Sequence, residues 1–369
     1  MKLRYRILNS ILLLLVLGIA AVLAYVSHDS PCGAAPPAPG AGTPSMKAMV
    51  YRCYGSMDVV KLETLPKAPP ASDRVLVRVH AAAVNPLDWH YVRGKPYIMR
   101  PMIGIGAPAD VRLGTDFEGT VEAVGDRVTQ FKVGDEVFGG ADGAFAQYVS
   151  VRATGAIALK PPNVTGEQAA SVGIAGVTAL QALRDKGKLQ AGQKVLVNGA
   201  SGGVGTFAVQ IAKAMGAEVT GVCSAKNAAM VQGIGADHVI DYTHEDFTQG
   251  KQQYDLIIDP IGNHTLAELR RVLTPNGVLV MIGGASDNDW LGPLTGSIKA
   301  KLSQPFHRQQ ARFMLAELNQ ADLNVLRDLM ASGKLMPVID RTYPLSETPE
   351  AIRYVEAGHS RGKVVVSVD

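Results

Sequence analysis

The chain has 369 residues, of which 47% are hydrophobic and 19% charged, and its formal net charge is +3. This length exceeds what one hydrophobic core commonly supports, so we expect two globular domains. The small charge, without a run of Lys and Arg interleaved with aromatic residues, argues against nucleic acid as a partner. The three cysteines, Cys32, Cys53 and Cys223, are too few for a zinc lobe held by four thiolates, and their scattered spacing predicts no disulfide framework.

The first 45 residues form a segment of their own. Three basic residues precede Ile7 to Val26, an uncharged apolar run that spans about 30 Å as a helix and is long enough to cross a bilayer. Two alternatives remain: a signal peptide cleaved near Ala24, or an uncleaved single-pass anchor, which we favour because the run exceeds a typical signal core. Residues 31–44, rich in Ala, Pro and Gly, predict a flexible linker that holds the globular part off the membrane.

The basic residues also bear on orientation. The positive-inside rule keeps Lys2, Arg4 and Arg6 in the cytoplasm and sends the rest of the chain across the membrane. A soluble nicotinamide pool is not assured there, so the sequence leaves open which side the globular part occupies.

Residues 46–170 carry the pattern of a small β-rich domain. Alternating or short apolar runs next to glycines predict strands at Val75–Ala81, Thr120–Val124, Gly134–Gly139 and Ala144–Val149. From Glu167 to Leu180 the period changes, which predicts one largely buried helix.

A glycine turn between a strand and a helix follows. The apolar strand from Val195 leads into glycines spaced three apart and then into an amphipathic helix from Phe207 to Met215. Such a turn is tight, lets the backbone approach a pyrophosphate, and presents the N–H groups of a helix start to it. We therefore predict that a dinucleotide contacts the turn, whose residues are Gly199, Ala200, Ser201, Gly202, Gly203, Val204 and Gly205.

The end of the next strand, Glu218–Cys223, selects between cofactors. NAD sites usually place an acid there to bind the ribose 2′-hydroxyl, but this chain has Ser224, Lys226 and Asn227. A hydroxyl, a cation and an amide suit a 2′-phosphate, which favours NADPH. The alternative is that Lys226 is a solvated residue opening the next helix.

Further strands complete the α/β pattern. Runs at His238–Asp241, Tyr254–Asp259 and Gly277–Ile282, with helical stretches between them, predict a doubly wound parallel sheet. A helix from about Ala321 and a terminal strand, Lys363–Val368, are expected to close back on the first domain. The predicted division is 1–45 for the anchor and linker, 46–170 and 321–369 for the β-rich domain, and 171–320 for the nucleotide-binding domain.

Several segments of the globular part carry a family resemblance. From Met46 onward the chain resembles the zinc-free quinone oxidoreductase, or zeta-crystallin-like, branch of the medium-chain dehydrogenase/reductase superfamily. The matching segments are Ala82–Asp88, Gly114–Gly125, Val133–Phe138, Asn198–Gly205, Gly235–Tyr242 and Gly358–Lys363.

The resemblance implies a GroES-like catalytic domain split around a Rossmann domain, with NADPH in the cleft. Where similar zinc-dependent alcohol dehydrogenases have their first catalytic Cys, this chain has Asn85, and a Gly-His-Glu ligand segment is also missing. Without these ligands, a zinc mechanism is not expected.

The same resemblance supplies candidate site residues. Asn85 and Thr178 would lie near the nicotinamide, Asp88, His90 and Tyr91 would line the substrate side, and Tyr242, Gly283 and Lys363 would border the cofactor. His90 or Tyr91 would donate the proton to the product oxygen, unless water does. The alternatives are that Tyr91 packs in the core, that Asp88 caps a turn and that Lys363 is a solvated charge.

Two functions remain open from the sequence. The first is a reductase that transfers a hydride from NADPH to a quinone or an α,β-unsaturated carbonyl, bound to the membrane by its N-terminal helix. The second is a membrane-tethered NADPH-binding protein with an interaction or sensing role. A homodimer is carried as a further expectation.

Overall fold

The computed structural model describes residues 2–283, 288–292, 294–303 and 307–368. Its α-helices, in chain order, are α1 Lys2–Ser27, α2 Pro86–Arg93, α3 Arg100–Ile103, α4 Gly166–Ala170, α5 Gly173–Gln181, α6 Gly203–Ala214, α7 Ala228–Gly233, α8 Leu266–Arg271, α9 Leu294–Ser303, α10 Gln320–Ala331 and α11 Thr348–Glu356. Its strands are β1 Ser45–Val50, β2 Lys61–Pro66, β3 Arg74–Val84, β4 Asp116–Val124, β5 Glu136–Gly140, β6 Tyr148–Arg152, β7 Ile157–Leu159, β8 Lys194–Asn198, β9 Glu218–Cys223, β10 His238–Asp241, β11 Tyr254–Asp259, β12 Leu273–Met281, β13 Gln310–Phe313, β14 Ile339–Pro344 and β15 Lys363–Ser367.

The β-rich part is built around a sheet with the order β14-β15-β3-β4-β5-β7, while β6 also pairs with β3. The long strand β3 lies between β15 and β4 and is antiparallel to both. The terminal strand thus closes back on the first part of the chain, as its sequence predicts. Buried valines of β3 and β15 pack there with aromatic residues such as Phe117 and Phe145.

The second sheet has the order β10-β9-β8-β11-β12-β13, and its pairs are parallel. Helices α5 and α6 cover it through a core that includes Leu180, Val195, Phe207 and Ile211. The predicted doubly wound parallel sheet is confirmed. The domain limits at residues 170 and 320 stay a prediction.

One predicted helix is divided in two. The stretch from Glu167 to Leu180 forms α4 and α5, with a break around Ser171 and Val172. A Cβ atom at Gly173 would lie 2.3 Å from Asp116 Oδ1, so the carboxylate packs directly against the start of α5. The break brings the N–H of Ile174 to that carboxylate at 2.8 Å. Helical periodicity does not reveal such a break because the residues on both sides are buried.

Residues 9–25 of helix α1 are exposed, and residues 9–27 are long and apolar enough to cross a membrane, judged by length and composition alone. One expectation about the chain after it is wrong. Cys32 forms a disulfide with Cys53, with 4.6 Å between their Cα atoms. Just before the predicted linker, Ser30 N also donates to Gly106 O at 2.8 Å. Both bonds hold residues 30–32 against the globular part.

Candidate active site

Three polar side chains, Asn85, Asp116 and Lys363, form a buried cluster in the β-rich domain. The Nζ of Lys363 donates to Asn85 Oδ1 at 2.7 Å and to the carbonyl of Val84 at 3.1 Å, and it lies 3.5 Å from Asp116 Oδ2. Asn85 Nδ2 donates to the same carboxylate oxygen at 2.9 Å. All three residues are at most 3% exposed, so their hydrogen bonds act in a medium of low polarity, where they are stronger than in water.

The sheet register explains why these residues meet. Asn85 directly follows β3, Asp116 begins β4, and Lys363 begins β15. Because β15 and β4 flank β3, with Ala83 opposite Asp116 and Val84 opposite Val364, the three strand ends lie side by side. A solvated role for Lys363, one of the alternatives from the sequence, is excluded by its burial.

Asp88 lies one helical turn beyond Asn85 and is 1% exposed. Its Oδ2 accepts a hydrogen bond from the backbone N–H of Asn85 at 2.8 Å, so it caps the start of α2. Burial raises the pKa of Asp88 to about 7, with a smaller contribution from the nearby Asp116 charge. The capping role that the sequence left as an alternative is therefore what the structure shows for this side chain.

The charges of the cluster balance when Asp88 carries a proton. Burial raises the pKa of Asp116 and lowers that of Lys363, because each charged form loses hydration. Their direct contact offsets this loss for the ion pair, whereas Asp88 has no cation equally close among the described contacts. A neutral Asp88 beside an ionised Lys363–Asp116 pair leaves no net charge buried.

The cluster borders the glycine turn of the second domain. Gly362 N donates to Ser201 O at 2.8 Å, and a Cβ atom at Gly203 would lie 3.3 Å from Lys363 Cδ. The terminal strand thus brings Lys363 next to the turn, and the polar cluster and the turn form one continuous site between the domains.

The glycine turn itself has room for a ligand at one position and none at another. A Cβ at Gly205 would lie 2.1 Å from Gly199 O, so this glycine lets α6 pack closely on β8. A Cβ at Gly202 would meet only Gly199 O, at 3.5 Å, so the space in front of the helix start is open. Gly199 has a φ of 78°, which a glycine adopts at little cost. This open cradle at a helix N-terminus fits a pyrophosphate.

The residues predicted to bind the 2′-phosphate gather at the end of β9. Asn227 is buried, and its Nδ2 donates to Ser201 Oγ at 3.1 Å and to Ser224 Oγ at 3.4 Å, while Lys226 is exposed beside it. Tyr242, which is 58% exposed, lies next to this strand end because its N–H donates to Cys223 O at 3.1 Å. The structure therefore brings four of the predicted cofactor residues to one edge of the sheet.

His90 and Tyr91 follow on α2, and their chemistry differs. His90 Nδ1 lies 2.8 Å from the carbonyl of Lys95, which only accepts, so Nδ1 carries the hydrogen. Burial lowers the pKa of His90, so its Nε2 is an acceptor at neutral pH. Burial raises the pKa of Tyr91, with Asp142 and Asp88 adding to the effect, so the phenol keeps its proton. Of the two predicted donors, His90 has its one ring proton in a hydrogen bond to the Lys95 carbonyl, whereas Tyr91 keeps its phenol proton.

Two further predicted cofactor residues, Thr178 and Gly283, have few described contacts. Thr178 lies in α5, and its hydroxyl donates to the carbonyl of Ile174 at 2.6 Å, one turn back. Ile174 is also the residue whose N–H contacts Asp116, so Thr178 belongs to the wall of the same site. Gly283 lies just past β12, where a Cβ would approach Pro260 O at 3.9 Å.

One residue of the cluster, Asp116, was missed as a site residue. Its sequence signal is weak, because the strand that it begins also contains Glu118 and Glu122, so one more carboxylate does not stand out. Within the residues that the structure describes, no group of three His, Cys, Asp or Glu side chains is placed to hold a metal ion.

Comparison with known proteins agrees with this architecture. Residues 71–163 match the family described as alcohol dehydrogenase GroES-like domain, and residues 234–366 match the one described as zinc-binding dehydrogenase. The solved quinone oxidoreductase from Coxiella burnetii superposes with a TM-score of 0.76 at 29% identity, covering 88% of this chain and all of that one.

Curated relatives extend over most of the chain. The mitochondrial NAD(P)H oxidoreductase RTN4IP1 of Mus musculus is 34% identical over 90% of this chain and 93% of its own length. The chloroplastic NADPH-dependent alkenal/one oxidoreductase of Arabidopsis thaliana is 32% identical over 87% and 79%.

Together, the GroES-like sheet, the Rossmann sheet and the site between them define a two-domain nicotinamide-dependent oxidoreductase. The chain belongs to the quinone oxidoreductase branch of the medium-chain dehydrogenase/reductase superfamily. The predictions of the family, of an enzyme and of NADPH as its cofactor are confirmed at this level.

Proposed function

We propose that the protein is a zinc-independent reductase that transfers a hydride from NADPH to a quinone or an α,β-unsaturated carbonyl. The observation that carries this proposal is the buried cluster of Asn85, Asp116 and Lys363. The ammonium group of Lys363 already neutralises the carboxylate of Asp116 at these strand ends. Asn85 has an amide at the position where a zinc site would have a thiolate. A divalent cation would have to displace Lys363 from its partners.

The proposed chemistry relies on positioning. NADPH supplies the hydride when it is bound. The glycine turn holds the pyrophosphate, and Ser224, Lys226 and Asn227 receive the 2′-phosphate through a hydroxyl, a cation and an amide. Asn85, fixed on two sides by Asp116 and Lys363, has one defined rotamer with which to orient the nicotinamide end.

The acceptor must be electron-poor for such a site to work. In an enone or a quinone, conjugation spreads the developing negative charge onto a carbonyl oxygen, so a hydrogen-bond donor suffices where a simple ketone would need a metal. Tyr91 is the donor that we assign, because its raised pKa keeps the phenol protonated. The names of relatives from Arabidopsis thaliana and Spinacia oleracea, an alkenal/one oxidoreductase and a quinone-oxidoreductase homolog, support this acceptor class.

We further propose that α1 is a single-pass anchor rather than a targeting segment that is removed. Relatives are named mitochondrial or chloroplastic, so a leader sequence is the competing interpretation. The anchor is favoured by the length of the apolar helix, since residues 9–27 are long enough to cross a membrane and exceed a typical signal core. A homodimer also remains a proposal, for which β13, at the edge of the described sheet, offers an interface to be checked by light scattering.

The full chain in detergent tests the reductase. NADPH oxidation would be followed with a panel of quinones, enals and simple ketones, before and after treatment with a zinc chelator. We expect turnover with conjugated acceptors, little with ketones, and no loss on chelation. NADPH binding without turnover on any acceptor would reject the reductase and favour the tethered binding protein.

A further inference from the structure

Arg100 connects the end of the membrane helix to the catalytic domain. Its side chain is 1% exposed, and its Nη1 donates to the backbone carbonyls of Val26 at 3.1 Å and His28 at 2.8 Å. Its Nη2 pairs with Asp29 Oδ1 at 2.6 Å. Among the described residues, the catalytic domain itself adds one further polar contact, Nε to Gly94 O at 2.9 Å. Three of these four hydrogen bonds therefore come from the end of α1 and the two residues just after it.

The same segment is held at two further points. Ser30 N donates to Gly106 O at 2.8 Å, and the Cys32–Cys53 disulfide closes the junction. The ring of Tyr54 lies 4.5 Å from the Arg100 guanidinium carbon, and its hydroxyl donates to Gly104 O at 2.7 Å. Residues 26–32 are thus fixed to residues 94–106, and α1 leaves the domain at a fixed place.

Three exposed apolar side chains lie in the segment that holds residues 26–32. Within residues 94–106, Ile98 is 44% exposed, Met102 is 87% exposed and Ile105 is 39% exposed. These three side chains lie in the segment that is bonded to the end of α1. If α1 enters a bilayer, they therefore lie close to the surface of that bilayer. A lipid surface covers such side chains without needing a specific partner fold.

This segment also borders the substrate side of the active site. Helix α2, which carries Asp88 and Tyr91, ends at Arg93 and runs directly into it. The backbone of residues 97 and 98 bonds to the second domain, with Tyr97 N donating to Asp289 O at 2.7 Å and Ile98 N to Trp290 O at 3.0 Å. The segment therefore reaches across the cleft between the two domains.

We propose that Ile98, Met102 and Ile105 form a membrane-seating face, which rests in the bilayer beside α1 and delivers acceptors dissolved in the lipid to the active site. The partner is the lipid bilayer, and the substrate class is a quinone or enal with a long apolar tail. This inference rests on the proposed reductase function for its substrate but not for the membrane contact.

The full chain in phosphatidylcholine vesicles provides the test. Activity would be measured with a water-soluble short-chain quinone and with a long-tailed quinone that resides in the bilayer. In the double variant Ile98→Glu/Met102→Glu, we expect kcat/KM for the bilayer-resident quinone to fall by about tenfold or more, because charged side chains resist entering lipid. The value for the soluble quinone should stay within about twofold, since these side chains are placed outside the catalytic cluster.

Val133→Glu is the matched control, because Val133 is 62% exposed on the turn between β4 and β5. It should change neither activity. Equal losses with both quinones in the double variant, or no loss with the bilayer-resident one, would overturn the proposed delivery route.

A second measurement does not depend on turnover. Vesicles containing a phospholipid with a photoreactive acyl chain should label the peptide that spans residues 97–105, in addition to α1, and should leave the peptide around Val133 unlabelled. Label confined to α1 would overturn the seating face, whatever the activity. An inactive chain that is labelled at residues 97–105 would reject the reductase alone.

Discussion

Asn85 shows how one side chain can join three strand ends. Its amide oxygen accepts from Lys363, its amide nitrogen donates to Asp116, and its backbone N–H is capped by Asp88. The sequence identified Asn85 and Asp88 by resemblance and Lys363 as a residue returning to the cleft. It did not identify Asp116, because only the antiparallel register of β3 and β4 brings that carboxylate within reach.

Asp88 gives the stability of the protein a pH dependence. Its pKa rises from 3.8 in the unfolded chain to about 7 in the fold, so the folded state binds the proton more tightly. The stabilisation linked to this proton is complete below the unfolded value and is lost as the pH rises through the folded one. In Asp88→Asn, which keeps a cap acceptor for Asn85 N, this decline should disappear. Urea unfolding at pH 5 and pH 7.5 measures this. The free energy of unfolding of the variant, relative to that of the natural chain, should be higher at pH 7.5 than at pH 5. A difference independent of pH would contradict the assignment.

Separate substitutions of Tyr91 and His90 test which of them donates the proton to the product. Replacing Tyr91 by Phe should lower kcat for an enone by a factor of about 10²–10⁴, the usual range for a general acid, and should leave the KM for NADPH unchanged. The control His90→Asn retains a donor toward the Lys95 carbonyl and should have only a small effect on kcat. Similar kcat values for both variants would indicate that water protonates the product.

At the scale of elements, the strands of the Rossmann sheet were predicted well. The apolar runs of β9 and β11 are buried, which leaves a clear sequence signal, and these two strands and the edge strand β10 begin and end where predicted. The break between α4 and α5 was not predicted, because its cause is Asp116, a residue from a strand more than 50 positions earlier, as the Asp116–Ile174 separation of 58 shows.

The glycine turn allows a prediction that separates folding from binding. In Gly205→Ala, the new Cβ would meet Gly199 O at 2.1 Å, so the free energy of unfolding should fall by about 1–3 kcal/mol. In Gly202→Ala, the Cβ has room in the empty turn, so stability should change by less than about 0.5 kcal/mol. NADPH binding should nevertheless weaken, because the methyl group stands where the pyrophosphate approaches. Thermal unfolding and fluorescence titration with NADPH measure the two effects. A stable Gly202→Ala variant with unchanged affinity would place the pyrophosphate elsewhere.

At the scale of the whole molecule, the disulfide bears on the orientation that the sequence left open. Cys32 and Cys53 lie 21 residues apart without a motif, so only the folded path of residues 26–32 brings them together. Disulfides persist in oxidising compartments, and the positive-inside rule also places the catalytic domain across the membrane from Lys2, Arg4 and Arg6. Together they predict that the catalytic domain lies on the non-cytoplasmic side.

Counting thiols in isolated membranes tests this orientation. After denaturation without reductant, a maleimide–polyethylene glycol reagent should shift the chain by one addition, at the free Cys223, and by three after reduction. The control Cys32→Ser should show two additions in both conditions, at the two cysteines that remain. Three additions without reductant in the natural chain would mean that the disulfide does not form and would return the domain to the cytoplasm.

Arg100 binds the end of α1 and the residues just after it mainly through two backbone carbonyl groups, those of Val26 and His28. Every residue type has such a carbonyl, so substitutions at positions 26 and 28 should leave these hydrogen bonds intact. A change at position 100 should not, because only a guanidinium supplies this number of donors in one plane. In related chains, residues 26 and 28 should therefore vary freely while Arg100 is kept, so that this distant arginine alone would show how α1 is joined to the catalytic domain.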